Sequence, residues 1–285
     1  MKIAYLGPAG TFTEDALLEA ADAGFEPLRT VTVHDAIVAV ERGEADRALV
    51  PFENSIEGSV RSTLDTLAFE APEVTIVGEY DYAVRARLIA REGVELGAVR
   101  AVLSHPQPLA QCARFLRERL PAAEVRAVSS TAEAVRTVCE SSEPWAAIGA
   151  RAAAELYGGE ILADGIEDES TNVTRFVWIA AAGTAASGAG EWKTSLVFSE
   201  LGEDHPGALV DALREFSSRD VNLTRIESRP LRQGLGRYMF FCDLEGSSEG
   251  PAVSAAIDAL RAQAESVRIL GSYPVDRGGA GATPA

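Results

Sequence analysis

The chain has 285 residues, 47% of them hydrophobic and 24% charged, an ordinary globular composition with room for two domains. Its formal net charge of −17 speaks against nucleic acid, which needs a basic stripe, and no apolar run approaches the roughly 20 residues of a membrane helix. Cys112, Cys139 and Cys242 are widely spaced, with no CxxC or Cys/His cluster, which argues against a metal site or disulfide framework; with no signal-peptide pattern before the strand-like Lys2–Leu6, a cytoplasmic location fits.

In chain order, a strand at Lys2–Leu6 leads into the turn Gly7-Pro8-Ala9-Gly10-Thr11 and a helix from about Thr13 to Ala23. A strand near Glu26–Val31 follows, then a helix opened by Thr32 with Asp35 three residues on, a capping-box pattern. Arg47–Val50 reads as a strand and Ile56–Phe69 as a helix, with Ser55 as a candidate N-cap. Val74–Val77 and Tyr82–Ala90 read as connecting strands. The plan then repeats: strand Arg100–Leu103, helix Pro108–Arg119, strand Glu124–Val128, a second capping box at Ser130 and Glu133, strand Trp145–Ile148 and helix Arg151–Tyr157. Boxes and opening strands are both offset by 98 residues (Thr32 to Ser130, Lys2 to Arg100). Such alternation implies two α/β lobes with parallel sheets, whose strand ends face a common cleft. The strand Val173–Ala180, rich in β-branched and aromatic residues, is expected to return to the first lobe.

Ala181–Glu191 is a run of small residues that suits a linker. Beyond it come strand Lys193–Ser199, helix Gly207–Ser217, strands Leu223–Arg229 and Arg237–Leu244, helix Pro251–Ala264 and strand Val267–Tyr273, the βαββαβ order of a ferredoxin-like α+β domain. The tail from Asp276 reads as disordered.

Polar residues gather at the predicted C-terminal ends of strands. Gly7-Pro8-Ala9-Gly10-Thr11 lacks the third glycine of a dinucleotide fingerprint and suits a helix N-terminus that presents amides to a carboxylate. Glu53-Asn54-Ser55 and Ser104-His105-Pro106-Gln107 hold equivalent positions in the two lobes; Ser104 beside His105 lacks an orienting acid for nucleophilic catalysis. The stretch Asp168–Phe176 ends in Thr174-Arg175-Phe176. Alternation sends Thr174 and Phe176 to one face of their strand and Arg175 to the other, so Arg175 either contacts a ligand or braces the site from behind.

These segments, with Gln111-Cys112 and Asn172-Val173-Thr174-Arg175-Phe176, stand in the order and context of the prephenate dehydratase family, which the chain resembles from about Lys2 to Val275. Gly207-Ala208-Leu209 and Glu227-Ser228-Arg229-Pro230 resemble motifs of an ACT domain. The resemblance implies a two-lobed α/β catalytic domain of periplasmic-binding-protein-like architecture over residues 1–182, its second lobe at about 78–162. A linker at 183–191 and an α+β ACT regulatory domain at 192–275 would follow. With no chorismate mutase helix before Lys2, it implies the monofunctional form.

The implied reaction is that of a carbon–oxygen lyase: prephenate loses carbon dioxide and water to give phenylpyruvate, with neither metal nor organic cofactor. The Thr174 hydroxyl would donate to the departing ring hydroxyl, polarised by Glu53 or Ser55, between which the sequence does not choose. Thr11, Asn54, Ser104, Gln107, Asn172, Arg175 and Phe176 would bind the dianionic substrate. L-Phenylalanine would act as an allosteric inhibitor at the turn His205-Pro206-Gly207-Ala208-Leu209, with Asn222, Leu223, Glu227 and Ser228 contributing across a dimer interface. The partners implied are thus prephenate, L-phenylalanine and a second copy of the chain, as a homodimer or homotetramer joined through a helix-free sheet face. Arogenate as substrate, or a non-catalytic two-lobed anion- or amino-acid-binding protein, are the alternatives.

Overall fold

The computed structural model describes residues 1–201 and 206–278. The first lobe starts with β1 (Lys2–Leu6), α1 (Phe12–Ala20), β2 (Glu26–Thr30), α2 (Val33–Glu41), β3 (Arg47–Asn54), β4 (Gly58–Ser59), α3 (Arg61–Phe69) and β5 (Val74–Ala83). Ile3, Ala4 and Tyr5 are fully buried, as expected of an inner strand covered on both faces, and β1 pairs in parallel with β2 and β3. The capping box of α2 is complete: Thr32 accepts the Asp35 amide and Asp35 accepts the Thr32 amide.

The second lobe holds β6 (Arg87–Arg91), β7 (Ala101–Ser104), α4 (Pro106–Gln111), α5 (Ala113–Arg119), β8 (Glu124–Ala127), α6 (Thr131–Glu140), β9 (Trp145–Gly149), α7 (Arg151–Tyr157) and β10 (Gly159–Asp164), in the sheet order β10-β6-β9-β7-β8. Then β11 (Val173–Ala181) returns to the first lobe as expected, but antiparallel to β3 and β5, and β6 is antiparallel to β9 and β10, so both sheets are mixed rather than parallel.

Three local expectations are corrected. The helix placed at Ile56–Phe69 begins only at Arg61, because Asn54 Oδ1 accepts the Ile56 and Glu57 amides at 3.0 Å each and turns the chain into the β3–β4 hairpin. The helix placed at Pro108–Arg119 is two helices broken at Cys112, because the Asp168 carboxylate accepts the Arg114 amide at 3.0 and 3.1 Å and caps the second one from another loop. In the Ser130 box only the Ser130 arm forms; the Glu133 carboxylate bonds the Ser129 hydroxyl instead.

The C-terminal domain is β12 (Trp192–Leu201), α8 (Ala208–Ser217), β13 (Leu223–Pro230), β14 (Tyr238–Glu245), α9 (Pro251–Arg261) and β15 (Ala264–Pro274), the expected βαββαβ order, in an antiparallel sheet β13-β14-β12-β15. Helices α8 and α9 cover Leu196, Phe198, Cys242 and Leu244 on one face. The other face was expected to await a second copy. It is covered instead by the chain's own first lobe: Val197, Met239, Phe241, Leu270 and Tyr273 share a core with Ile37, Phe52, Leu64, Ile76 and Val177. Strand β15 lies so close to β5 that a Cβ on Gly271 would collide with the Ile76 carbonyl oxygen. The first residues of the predicted tail are placed as well: the Asp276 carbonyl accepts the Asp81 amide at 3.2 Å and Arg277 reaches Glu191 at 3.1 Å, whereas residues 279–285 lie outside the described ones.

Candidate active site

Residues on facing strands build the site. In the β3–β11 ladder Asn54 stands opposite Thr174, and Glu53 opposite Arg175. Successive residues of a strand point to opposite faces, so the two pairs part company. On the cleft side the Asn54 amide donates to Thr174 Oγ1 at 2.9 Å, to Asn172 Oδ1 at 2.8 Å and to the Val173 carbonyl at 3.2 Å. Asn172 is buried, and its own amide reaches Gln111 Oε1 at 3.5 Å. Gln111 Nε2 is a buried donor without a partner among the described residues, beside a cavity of about 260 Å³ lined by Ile56, Ala110, Gln111, Glu167, Asp168 and Glu169. Gln111 was quoted in a motif but given no role. The signal that could have found it is its four-residue spacing from Gln107, which puts both on one helix face.

Ser55 is no helix cap. Its Oγ donates to the Thr171 carbonyl at 2.8 Å and accepts the Val173 amide at 3.0 Å, fastening the start of β11 to the end of β3. Phe176 sits in the apolar cluster of Tyr5, Leu49 and Tyr82, edge-on to Tyr82 at 6.2 Å between centroids.

On the other face neither Glu53 nor Arg175 meets Thr174. Arg175 is 6% exposed, and its Nε, Nη1 and Nη2 lie 3.0, 3.1 and 2.5 Å from Glu53, Glu79 and Asp243. Burial works against its charge, but Asp243, Tyr273, Glu53 and Glu79 together hold its pKa above the ordinary arginine value. The second Glu53 oxygen lies 2.9 Å from Arg225 Nε. The expected roles of Glu53 as polariser of Thr174 and of Arg175 as a substrate contact therefore find no support in the geometry; of the two options for Arg175, it braces from behind.

The lobes meet at one end of the cleft, where the starts of α1, α6 and α7 converge. Gly10, at φ +81°, allows this, since a Cβ there would come 3.0 Å from Ala153 Cα and 3.5 Å from Ala132 Cβ. Asp15 of α1, 5% exposed, accepts the Ala152 amide of α7 at 3.0 Å and the Tyr82 hydroxyl at 2.7 Å. Thr11 caps α1, accepting the Glu14 amide at 3.4 Å. The helix starts are satisfied within the chain: Glu14 accepts the Gly10 amide at 2.5 Å, as Asp15 accepts that of Ala152. Ser104 is fully buried, its hydroxyl given to the Ile148 carbonyl at 2.7 Å, and Gln107 is exposed, its amide on His105 Nδ1. The structure thus joins Asn54, Thr174, Asn172 and Ser55, and leaves Ser104 and Gln107 outside that network.

In the C-terminal domain Ala208 and Leu209 line a cavity of about 550 Å³ with Leu201, Leu231, Tyr238 and Phe240, at the start of α8, where Gly207 takes φ +101°. Asn222, Leu223, Glu227 and Ser228 do not line it; Glu227 accepts the Ser59 hydroxyl of the first lobe at 3.2 Å. His205 lies outside the described residues.

Two α/β lobes around a polar cleft, joined to a βαββαβ domain, define the class: a two-lobed α/β core carrying a ferredoxin-like α+β module. Comparison with known proteins gives the particular family. The prephenate dehydratase family model matches residues 3–184 and the ACT domain model residues 200–262. The prephenate dehydratase of Mycolicibacterium smegmatis is 43% identical over 294 residues, covering 99% of this chain and 93% of that protein. A structure of prephenate dehydratase from Arthrobacter aurescens in complex with L-Phe has a TM-score of 0.87 at 40% identity, covering 98% of this chain and 90% of that one. A second structure, GqqA, described as a novel type of quorum quenching acylase, has a TM-score of 0.87 at 32% identity, over 97% and 98%. The chain belongs to the prephenate dehydratase family, and its C-terminal domain is an ACT domain.

Proposed function

We propose that the chain converts prephenate to phenylpyruvate, with Thr174 as the proton donor. The observation that carries this reading is the direction of one hydrogen bond. Asn54 donates to Thr174 Oγ1, so the threonine keeps its own proton free for an acceptor in the cleft. Accepting a hydrogen bond also makes a hydroxyl a better donor. The C–O bond of the substrate's ring hydroxyl breaks as Thr174 hydrogen-bonds or protonates the departing oxygen, which leaves as water. The C–C bond to the ring carboxylate breaks with it, carbon dioxide departs, and its electron pair completes the aromatic ring. One proton returns to Thr174 from solvent. The Gln111 amide is a fixed donor at the edge of this site. In this reading residues 1–182 do the chemistry and 192–275 regulate it.

The same reading makes L-phenylalanine the effector, bound at the cavity beside Ala208 and Leu209, as an L-Phe complex of a family member supports. The open edge of β13, with Ile226 46% and Tyr238 47% exposed nearby, is the surface on which a second copy docks. Cytoplasmic location belongs to this reading too; among the described residues no helix is long and apolar enough to cross a membrane. Steady-state assays with prephenate and with arogenate, following the product's absorbance, test it. Turnover of prephenate with a kcat/KM at least tenfold above that for arogenate is expected, and the reverse order would reassign the substrate.

A further inference from the structure

The seam between the catalytic core and the ACT domain holds more charge than a simple docking surface needs. Three carboxylates, Glu53, Glu79 and Asp243, meet three cations, Arg175, Arg225 and Lys193. The catalytic core contributes Glu53, Glu79 and Arg175; the ACT domain contributes Asp243, Arg225 and Lys193. Parted, the core's side would carry one excess negative charge and the ACT side one excess positive charge. Neither half is neutral alone, so the seam moves as a unit or opens at high cost. Three of the six groups are also fixed in direction by uncharged neighbours. Both guanidinium groups lie over the buried Phe52 ring, at 4.7 and 5.0 Å from its centroid. Asp243 is held by Ser195 Oγ at 2.5 Å, and Ser195 by Tyr273 at 2.7 Å.

The seam is bonded to the back of the catalytic pair. Glu53 and Arg175 are the chain neighbours of Asn54 and Thr174 and form the adjacent rung of the same ladder. A β-bulge follows at once on the β3 side, between Arg175 and Phe176, while on its other side β11 keeps regular register with β5 from Val173 to Trp178. A shift of Asp243 or Arg225 acts first on the β3–β11 rung it holds, and the next rung carries the Asn54–Thr174 hydrogen bond.

We propose that Arg175 is a positioning residue, and that the Asp243–Arg175 and Arg225–Glu53 bridges are the route by which the ACT domain sets the geometry of the Asn54–Thr174 pair. This rests on the reading of Thr174 as the proton donor. It predicts that a change of state in the ACT domain acts on kcat before it acts on KM, because a rotated hydroxyl misses the transition state while ground-state contacts elsewhere in the cleft are kept.

The experiment uses the full chain and the variants Asp243→Asn and Ser195→Ala. Asp243→Asn keeps the shape and removes the charge; Ser195→Ala removes one support of Asp243 and is measured because Asp243 itself is fully buried. The expected result is a kcat lowered on the order of tenfold in Asp243→Asn and less in Ser195→Ala, with KM within about twofold. Amide hydrogen exchange over residues 51–56 and 172–176 is read beside it. In the unchanged chain L-phenylalanine should alter exchange there. In Asp243→Asn it should not, although calorimetry still detects L-phenylalanine binding. If both variants keep native kcat and the native exchange response, the proposal is overturned. If the unchanged chain turns over prephenate but binds no L-phenylalanine, the effector reading fails and the kcat comparison alone decides. If it turns over no prephenate, the donor reading fails, and faster exchange over 172–176 in the variants than in the unchanged chain decides whether Asp243 positions β11.

Discussion

Two faces of the same pair of strands have opposite chemistry. Toward the cleft, β3 and β11 present Asn54 and Thr174, neutral groups joined by a 2.9 Å hydrogen bond and open in part to solvent. Toward the ACT domain, one residue away, they present Glu53 and Arg175 in a closed network of ions. The difference suits the two tasks proposed for them. A site that moves a proton onto a departing oxygen needs a donor whose hydrogen is not already claimed, and an amide partner leaves it free where a carboxylate would compete for it. A seam that fixes geometry needs directional partners that are costly to separate. Buried ion pairs supply this whatever their net worth in stability, since breaking one leaves an unpaired charge behind.

The sharpest way to break the contrast is on the cleft face. Thr174→Ala should lower kcat by about 10²–10⁴-fold with KM little changed, because the lost interaction exists only in the transition state. A variant within a few-fold of the unchanged kcat would remove Thr174 from the chemistry. On the seam face the corresponding deletion should show in the fold. Glu79 is 2% exposed and lies 3.1 Å from Arg175 and 2.7 Å from Lys193. Glu79→Ala takes from Lys193 its carboxylate and from Arg175 one of three, and should cost about 3–5 kcal/mol in urea unfolding. A loss below about 1 kcal/mol would mean that the network relaxes into solvent and is no rigid seam.

Why the sequence showed one face and not the other follows from how each is made. Thr174, Asn54 and Asn172 are legible because their segments carry family motifs and the alternation of Val173–Ala180 is unambiguous. Alternation also showed that Arg175 points away from Thr174. It could not show what waits there, because Asp243 is 68 residues on in another domain. The false helix start at Ser55 had a readable warning: Asn54 followed by Gly58, at φ +82°, is a turn signal. The break at Cys112 had none, since its cap, Asp168, comes from a distant loop. Strand β10 was missed because, on a sheet edge with Ile161 38% exposed, it shows no regular period.

A smaller effect separates the two services Asn54 performs. Its Nδ2 holds Thr174 and Asn172, while its Oδ1 holds the hairpin turn. Asn54→Asp keeps the turn acceptor and removes the donor; Asn54→Ala removes both. Both should lose on the order of tenfold or more in kcat. Both lose the bonds from Nδ2, and the alanine variant should lose about 1–2 kcal/mol more from the broken turn bonds. Equal stability with unequal kcat would shift the role of Asn54 from holding Thr174 to touching substrate.

The smallest effect is read from the thiols, which report on both faces without disturbing either. Cys112 lies at the α4–α5 break beside Gln111, behind the cleft; Cys242 is the neighbour of Asp243 on β14, on the side turned to α8 and α9. Burial pushes both thiols up to about 12, helped by Glu167 and Asp168 at Cys112 and by Asp243 at Cys242. At pH 8 each is then ionised in about one molecule in ten thousand, so alkylation waits on local opening rather than on chemistry. Cys139 is half-buried, its thiol raised chiefly by burial, and should react first. A ligand in the cleft should slow Cys112 further by tying α4 to β11, and leave Cys242 alone. L-Phenylalanine in the ACT domain should slow Cys242 directly. If the seam couples the faces, it should change Cys112 as well, through β14, Arg175 and β11. Mass-spectrometric alkylation rates at the three cysteines, with each ligand in turn, measure this. A Cys112 rate indifferent to L-phenylalanine that binds and inhibits would mean that the two faces share strands but not motion.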